Sequence, residues 1–502
     1  MGIFVGIGNY IGRVRQIGDG GGQPIGPNDY YIITEDGIAV LTERGKHILL
    51  DKYVTEDEIA TWVKEHMVFW YDMSKPVDVY VPGVTYANPF VNGGGKLTYD
   101  NAINKCIITH TPTNNNNIAF WQIIVKPLQY VESYKIRVTG LPEGFTMKGR
   151  LGYVSIQITS DGEYDIPEYK NSSTTNSSYP GFYLAGDNVN DVDCNIVVEE
   201  IPTKQSVPTN EILKANPYLQ DFSGNNRRLK LNNFLFAAMS GVGGYDISST
   251  NILPDRANVT VTDNRVIHIT KKLSTTDNMV NIVPANSNPT HKFKVTGLSD
   301  GRQVSLVNRN GGFYTFDNGE HEVTLTYPEG TTSLYNAIGV TGDIGDMDVT
   351  IEFIPRYPNA LVTDGVDDYG QIQNLQHGVK VLFMTANPLG LYRTWYAQDS
   401  FSIYGQLGIT AYNFRNTGGV TYLDGILNEA EVSNNLLNKK QTVTIVNPTD
   451  GGNNSIIFFN SYGSSYMNMA FYNSIGFDAV PEGNVTLQRV INYVINNILN
   501  KA

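Results

Sequence analysis

The stretch YKIRVTGLPEG at Tyr134–Gly144 returns further along the chain as HKFKVTGLSDG at His291–Gly301. In both copies Lys, Arg or Thr occupies every second position, as in a strand with one buried face. The positions predicted to face inward are Tyr134, Ile136 and Val138 in the first copy and His291, Phe293 and Val295 in the second. Because the alternation keeps its register between the copies, the repeat predicts two related β modules.

The match extends beyond this strand at an unchanged offset. SDGEYDI at Ser160–Ile166 corresponds to DNGEHEV at Asp317–Val323, and both contain the Asp-Gly or Asn-Gly pair of a β-hairpin turn. The copies also end alike, with DVDCNIVVEEIP in the first and DMDVTIEFIP in the second. These matches predict two homologous β-sandwich modules, over residues 77–203 and 251–356.

The composition narrows the class of protein. A chain of 502 residues is long enough for about three or four domains. Hydrophobic residues make up 41%, charged residues only 17%, and there are 49 glycines, which together predict a folded, mainly β, multi-domain chain. The formal net charge of −13 argues against nucleic acid as a partner, because phosphate binding requires a basic face.

The N-terminal region, residues 1–76, differs from the modules. Residues 1–26 are rich in glycine and mostly uncharged, so we expect them to be ordered only against a partner and to act as a docking segment. Thr55 and Glu58 have the spacing of a helix capping box, which predicts a small helical element in this region. An apolar stripe follows at helical spacing and comprises Ile59, Trp62 and Val63.

The sequence shows neither a secretion signal nor a run of about 18–20 apolar residues that could span a membrane. Its two cysteines, Cys106 and Cys194, are far apart and outside any CxxC or Cys/His cluster, so neither a disulfide scaffold nor a zinc site is expected. We therefore expect a soluble protein that folds in a reducing cytosol and has no membrane partner.

Four segments outside the second module have a recognisable order. They are NPYLQDFSGNNRRLKLNNFLF (216–236), ALVTDGVDDYGQIQNL (360–375), YLDGILN (422–428) and MNMAFYNSIGF (467–477). Their arrangement resembles a concanavalin A-like, laminin G-like jelly roll. More closely, it resembles surface fibre proteins of phages that infect gut Bacteroidales, including the crAss-like group. The resemblance covers about residues 210–502.

The resemblance implies a discontinuous lectin-like jelly roll formed by residues 210–250 and 357–502, with the second module, 251–356, inserted in it. Such an insertion costs little free energy, because the entropy of loop closure grows slowly with loop length. LQRVINYVINNILN near the C-terminus predicts a helix that packs on the lectin-like domain or, alternatively, against another subunit. Its apolar face comprises Leu487, Val490, Ile491, Val494, Ile495, Ile498 and Leu499.

Asp364, Asp367 and Asp368 in DGVDDY are the first candidate group for ligand binding. Glycine and aspartate at these positions are typical of a turn before a strand. The carboxylates could instead hold calcium or a ligand, or act as acids in glycoside hydrolysis. Histidines are scattered along the chain, so no other metal and no organic cofactor is expected.

A run of aromatic and amide side chains is the second candidate group. Flat rings pack on the C–H groups of sugars and amides hydrogen-bond their hydroxyls, so this composition suits carbohydrate. The same rings could also fill or edge the sandwich. The group comprises Tyr392, Trp395, Tyr396, Tyr404, Tyr412, Asn413 and Asn416.

The resemblance implies a virion structural protein, which we expect to be non-enzymatic. It would be a head fibre that decorates the capsid surface and attaches to host-surface glycan. The N-terminal segment would dock to capsid or tail proteins, and a homotrimer would multiply weak sugar contacts. We expect it at the virion surface, after synthesis in the host cytoplasm.

Three alternatives stay open. The first is a tail fibre. The second is a virion-borne capsular polysaccharide depolymerase that uses Asp364, Asp367, Asp368 or Asp424 as acids. The third is a cell-surface or secreted glycan-binding protein of a gut bacterium.

Overall fold

The structure is a computed structural model that describes much of the chain from Thr55 onward. The described residues are 55–80, 84–85, 93–113, 119–151, 154–245, 247–262, 264–284, 289–299, 301–308, 312–327, 336–373, 378–389, 393–398, 401–408, 411–416, 420–428, 439–446, 455–459, 468–482 and 485–499. For residues 393–398, 401–408 and 411–416 the structure describes only the backbone. The predicted docking segment, residues 1–26, lies outside the described residues.

Helices are few in the described part of the chain. They are α1 (Glu56–His66), α2 (Asn210–Ala215) and α3 (Leu487–Val494), which continues as a π-helical turn at Ile495–Leu499. The predicted capping box is confirmed, since the Glu58 amide donates to Thr55 Oγ1 at 3.2 Å and the Thr55 amide donates to Glu58 Oε2 at 2.9 Å. No helix among these residues is long and apolar enough to cross a membrane.

The helices α1 and α3 belong to one compact unit, whereas residues 67–479 form another. Ile59 and Val63 on α1 are buried, and so are Val490, Ile491 and Val494 on α3. The two helices contact each other. The C-terminal helix was predicted to pack on the lectin-like domain or against another subunit. It packs instead on α1, and each of the two helices has an apolar stripe that is buried.

The second unit contains the strands. Those from its start to the end of the first module are β1 (Met67–Asp72), β2 (Val77–Val79), β3 (Val84–Thr85), β4 (Lys96–Asp100), β5 (Lys105–His110), β6 (Ala119–Ile123), β7 (Tyr130–Val131), β8 (Tyr134–Thr139), β9 (Phe145–Leu151), β10 (Val154–Ile158), β11 (Gly162–Ile166), β12 (Tyr169–Lys170), β13 (Gly181–Gly186) and β14 (Asp193–Ile201). Two antiparallel five-stranded sheets form the module, in the orders β10-β9-β13-β6-β3 and β11-β8-β14-β5-β4. They share one core, which includes Trp121, Ile136 and Phe182.

The second module repeats this topology strand for strand. After β15 (Lys204–Ser206), β16 (Tyr218–Leu219), β17 (Leu229–Asn232) and β18 (Gly241–Val242), it comprises β19 (Ile247–Ile252), β20 (Ala257–Thr262), β21 (Val266–Lys272), β22 (Val280–Pro284), β23 (Thr290–Thr296), β24 (Val304–Asn308), β25 (Phe313–Phe316), β26 (Gly319–Thr324), β27 (Asn336–Val340) and β28 (Gly345–Phe353). Its sheets have the orders β25-β24-β27-β22-β19 and β26-β23-β28-β21-β20. The two copies therefore share their strand order as well as their sequence motifs.

The repeated motifs tie together the same two turns in each copy. In the first module, Asp161 accepts hydrogen bonds from the amides of Gly140 at 2.9 Å and Leu141 at 2.8 Å. In the second, the counterpart Asn318 accepts one from the Leu298 amide at 3.0 Å. The Asp or Asn of the hairpin turn thus holds the turn of the VTGL stretch, which explains why both motifs repeat at one offset.

The remaining strands form a third, larger sandwich. They are β29 (Leu361–Val362), β30 (Tyr369–Gln373), β31 (Val381–Pro388), β32 (Arg393–Gln398), β33 (Phe401–Gly408), β34 (Ala411–Asn416), β35 (Val420–Leu423), β36 (Ile426–Asn428), β37 (Gln441–Val446), β38 (Ser455–Phe458) and β39 (Met469–Phe477). One sheet has the order β18-β29-β39-β31-β37-β35-β36, with β1 also on β39, and the other has the order β16-β17-β30-β38-β32-β33-β34. We call this the large sandwich. The prediction of a mainly β fold with several sandwiches is confirmed.

Both modules interrupt the large sandwich. β1 precedes the first module, β16 to β18 lie between the modules, and β29 to β39 follow the second. The predicted N-terminal region, 1–76, therefore ends too late, because β1 is a strand of the large sandwich. Phe69 and Tyr71 are fully buried in its core, beside Leu231, Met384 and Phe458.

Candidate functional site

The three candidate aspartates lie in the loop between β29 and β30. Asp364, Asp367 and Asp368 each direct a carboxylate oxygen to within 4.8 Å of the others. Asp364 is half-buried, Asp367 is exposed and Asp368 is fully buried. The three aspartates that the sequence predicted as candidates therefore lie close together, in the loop before β30.

Hydrogen bonds within the chain shape this loop. Both oxygens of Asp368 accept hydrogen bonds, one from Ser240 Oγ at 3.0 Å and one from the Asp364 amide at 3.0 Å. Asp364 Oδ1 accepts from the Val366 amide at 2.7 Å. Asn233 Nδ2 donates to the Asp367 carbonyl at 3.1 Å. In the structure these aspartates therefore stabilise a turn, as the sequence favoured.

Asp368 has an unusual protonation equilibrium. Burial raises its pKa to about 7, and the neighbouring charges of Asp364 and Asp367 act in the same direction. A carboxyl with a raised pKa beside other carboxyl groups is the pattern of a general acid. However, Asp368 is fully buried and hydrogen-bonded on both oxygens, so it does not reach a substrate.

Between pH 4 and pH 7 we expect the free energy of unfolding of the wild type to fall by about 3 kcal/mol more than that of the variant Asp368→Asn. Over this range the unfolded chain loses a proton near the ordinary carboxyl pKa of about 3.9, whereas buried Asp368 keeps its proton to about pH 7. The folded state then holds more protons than the unfolded state, so stability decreases as pH rises. Urea unfolding at several pH values measures the difference. Asp367→Asn is the exposed control, and parallel curves for the wild type and Asp368→Asn would contradict the prediction.

Calcium at this loop stays a prediction. Calcium usually takes 6–8 oxygen ligands, and three clustered carboxylates would supply part of that set.

Asp424, the remaining candidate acid, lies in the hairpin turn between β35 and β36. Its φ is +47° and that of Gly425 is +82°, as a tight Asp-Gly hairpin turn requires. Its Oδ1 accepts from the Thr442 amide at 2.8 Å.

The aromatic and amide candidates occupy neighbouring strands of the seven-stranded sheet. Trp395 and Tyr396 lie in β32, Tyr404 in β33, and Tyr412, Asn413 and Asn416 in β34. A register irregularity falls at Trp395, between the paired positions Thr394 and Tyr396. Tyr392 lies outside the described residues.

The register of these strands brings most candidates to one end of the sheet. Gly370 of β30 and Tyr396 of β32 both pair with Phe458 of β38, so the starts of β30 and β32 are level. Tyr404 pairs with Thr394 near the start of β32, and Asn413 near the start of β34 pairs with Gln406 of β33. The aspartate loop, immediately before β30, lies at this same end. We call it the candidate end of the sheet.

Two residues that hydrogen-bond to the loop were not predicted from the sequence. Ser240, next to β18, and Asn233, after β17, hold the aspartate loop although they precede it by the whole second module. The pairing of β17 with β30 places Asn233, and the pairing of β18 with β29 places Ser240. No local sequence pattern predicts contacts between residues so far apart in the chain, and they follow only from the pairing of distant strands.

Comparison with known proteins adds little to this description. No family model and no curated protein matches the chain. Among solved structures, it is similar to vicilin from Corylus avellana (hazelnut), with 6% identity over 57% of this chain and 85% of the vicilin chain, at a TM-score of 0.13. A similarity at that TM-score carries no argument about fold or function.

Proposed function

We propose that this chain is a phage virion structural protein, a head fibre on the capsid surface whose large sandwich binds glycan of the host surface. The candidate end of the seven-stranded sheet carries the proposal. Four strand spacings separate β30 from β34, which corresponds to about 19 Å. A site of that length suits several units of a polysaccharide.

The two inserted modules act as spacers in this proposal. A row of alternating charges crosses the outer face of the first module, formed by Glu163, Arg137, Glu199 and Lys105. Arg137 lies 2.7 Å from Glu163 and 3.1 Å from Glu199, and Lys105 lies 3.6 Å from Glu199. Such a row suits a sheet face that remains in water, because charges are costly to bury.

The second module carries a matching row. Its strands place Glu320 opposite Lys294 and Lys294 opposite Glu352, and Arg265 Nη2 lies 3.2 Å from Glu352 Oε1. Each exposed pair contributes little to stability. Their repetition supports a common role for the two modules, which is to keep soluble faces while holding the large sandwich away from the particle.

Attachment and assembly complete the proposal. Residues 1–26 would dock to capsid or tail proteins, and a homotrimer would present three glycan sites together. Shallow sugar sites bind weakly alone, so avidity would supply the retention at the host surface.

The proposal is for a binding protein without catalysis. The depolymerase alternative needs an accessible acid and a partner carboxylate. Asp368, with the raised pKa, is fully buried, and Asp424 is held in a hairpin turn. This arrangement favours the adhesive role.

Immunogold electron microscopy of intact virions tests the location. Antibodies against residues 247–353 should label the capsid surface. Particles whose chain lacks residues 1–26 should be unlabelled, while the purified truncated protein remains folded. Label confined to the tail would contradict the head location, and label on uninfected bacteria would favour the bacterial alternative.

A further inference from the structure

A cavity of about 280 Å³ lies where the first module meets the large sandwich. Its walls come from β2 with Tyr80, from the turn between β4 and β5, and from the segment that runs from α2 through β16. Arg228, just before β17, completes the lining. Cavities between domains are common ligand sites, and this volume is close to the smallest that such sites have.

One wall of the cavity presents a carboxylate in a fixed position. Asp78 Oδ1 accepts from Gln205 Nε2 at 3.1 Å, and Asp78 Oδ2 accepts from Gln220 Nε2 at 3.3 Å. Gln220 Oε1 in turn accepts from the Asp78 amide at 2.7 Å. Each carboxylate oxygen keeps a further lone pair, so the wall can accept hydroxyl hydrogens without rearrangement.

Arg228 presents a guanidinium in a fixed position to the cavity. Arg228 Nη1 donates to the Ala102 carbonyl at 2.8 Å, and Arg228 Nε donates to Asn226 Oδ1 at 3.2 Å. Its guanidinium carbon lies 5.8 Å from the centre of the Tyr80 ring. Asn216 Nδ2 donates to the same Ala102 carbonyl at 2.8 Å. The bonds to Ala102 and Asn226 use two of the five N–H donors of the arginine, and the Tyr80 hydroxyl accepts from the same guanidinium.

Two tyrosine rings give the cavity its apolar surface. Burial raises the pKa of both Tyr80 and Tyr218. Tyr218 is half-buried and lines the cavity. Ala215 and Asn101 line the cavity and are exposed, so they lie at its mouth.

We propose that this cavity binds one neutral sugar unit, as a second glycan site of the chain. Asp78 and Arg228 are the charged residues of the lining and carry opposite charges. Glu200 lies behind the wall, where it accepts from Asn104 Nδ2 at 2.6 Å. A neutral ligand therefore leaves the charge of the lining balanced. A pyranose supplies hydroxyls for the carboxylate, the guanidinium and the Tyr218 hydroxyl, and its C–H faces pack on tyrosine rings. This inference rests on the proposed glycan-binding function and adds a place where a single unit is held.

Ala215→Trp tests the site, because the indole would fill the cavity mouth without removing any polar group. The full-length protein is titrated with D-glucose, D-galactose and N-acetyl-D-glucosamine by saturation-transfer NMR, and with host capsular polysaccharide by light scattering. Ala215→Ser is the matched control. We expect at least one monosaccharide to bind, with at least a tenfold loss of affinity in Ala215→Trp and less than a twofold change in Ala215→Ser.

Tyr218→Phe keeps the ring and removes only the hydroxyl, so it tests the same site if the tryptophan variant fails to fold. We expect a loss of affinity of about three- to tenfold for the same monosaccharide. Polysaccharide binding by the wild type, with no monosaccharide bound or with unchanged affinity in these variants, would overturn this inference and leave the proposed function standing. Failure of the wild type to bind the polysaccharide and all three sugars would overturn both.

Discussion

Phe69→Ala is expected to lower the free energy of unfolding of the large sandwich by about 3–5 kcal/mol. Phe69 is fully buried, and its ring centre lies 5.0 Å from that of Tyr71 and 5.9 Å from that of Phe458. Gly476 leaves room for the ring, since a Cβ there would lie 2.6 Å from a Phe69 ring atom. Removing the ring leaves a cavity among strands that come from opposite ends of the sequence.

Urea unfolding monitored by tryptophan fluorescence measures this loss. Phe313→Ala is the matched control, because Phe313 on β25 is 57% exposed and its truncation should change stability by less than about 0.5 kcal/mol. Equal, small effects of the two substitutions would mean that β1 does not belong to the core of the large sandwich.

Gly297→Ala is expected to lower the free energy of unfolding of the second module by at least about 3 kcal/mol. Gly297 has φ +85°, and a Cβ there would lie 1.8 Å from the Asp348 carbonyl oxygen. The left-handed conformation costs an alanine about 1–2 kcal/mol, and the collision with a backbone atom adds to it. The equivalent Gly140 in the first module has φ +73° and a Cβ position 2.1 Å from the Asn195 carbonyl oxygen.

Gly301→Ala separates the two causes. Gly301 also has a left-handed φ, +78°, but a Cβ there meets nothing within 4 Å. It should therefore show only the conformational cost of about 1–2 kcal/mol. Calorimetric unfolding of the three proteins gives the comparison. Equal losses in Gly297→Ala and Gly301→Ala would show that the close approach of Gly297 to Asp348 is not a constraint of the folded module.

Local patterns were sufficient to predict the repeated modules. The alternation around Tyr134 and His291, and the Asp-Gly and Asn-Gly pairs of the hairpin turns, are patterns of residues close in sequence, so each copy displays them directly. The capping box of α1 is local in the same sense. The aspartate loop was likewise recognisable as a turn, from Gly365 and the residues beside it.

Pairing between distant strands could not be read in the same way. MVFWYD, the sequence of β1, is short and apolar, and nothing near it indicates that its partner is β39, beyond both modules. The same reason explains why Ser240 was missed as a partner of Asp368. The candidate end of the sheet depends on both local patterns and long-range pairing. Its residues were predicted individually from the sequence, but only the register of the strands shows that they lie at the same end.

The central claim is that the chain binds host glycan without cleaving it. The most direct measurement mixes the purified protein with host capsular polysaccharide and follows mass and polymer length over time by size-exclusion chromatography with light scattering. We predict a stable complex and constant polymer length. Progressive shortening of the polymer would contradict the non-enzymatic role, and the absence of a complex would contradict glycan binding itself.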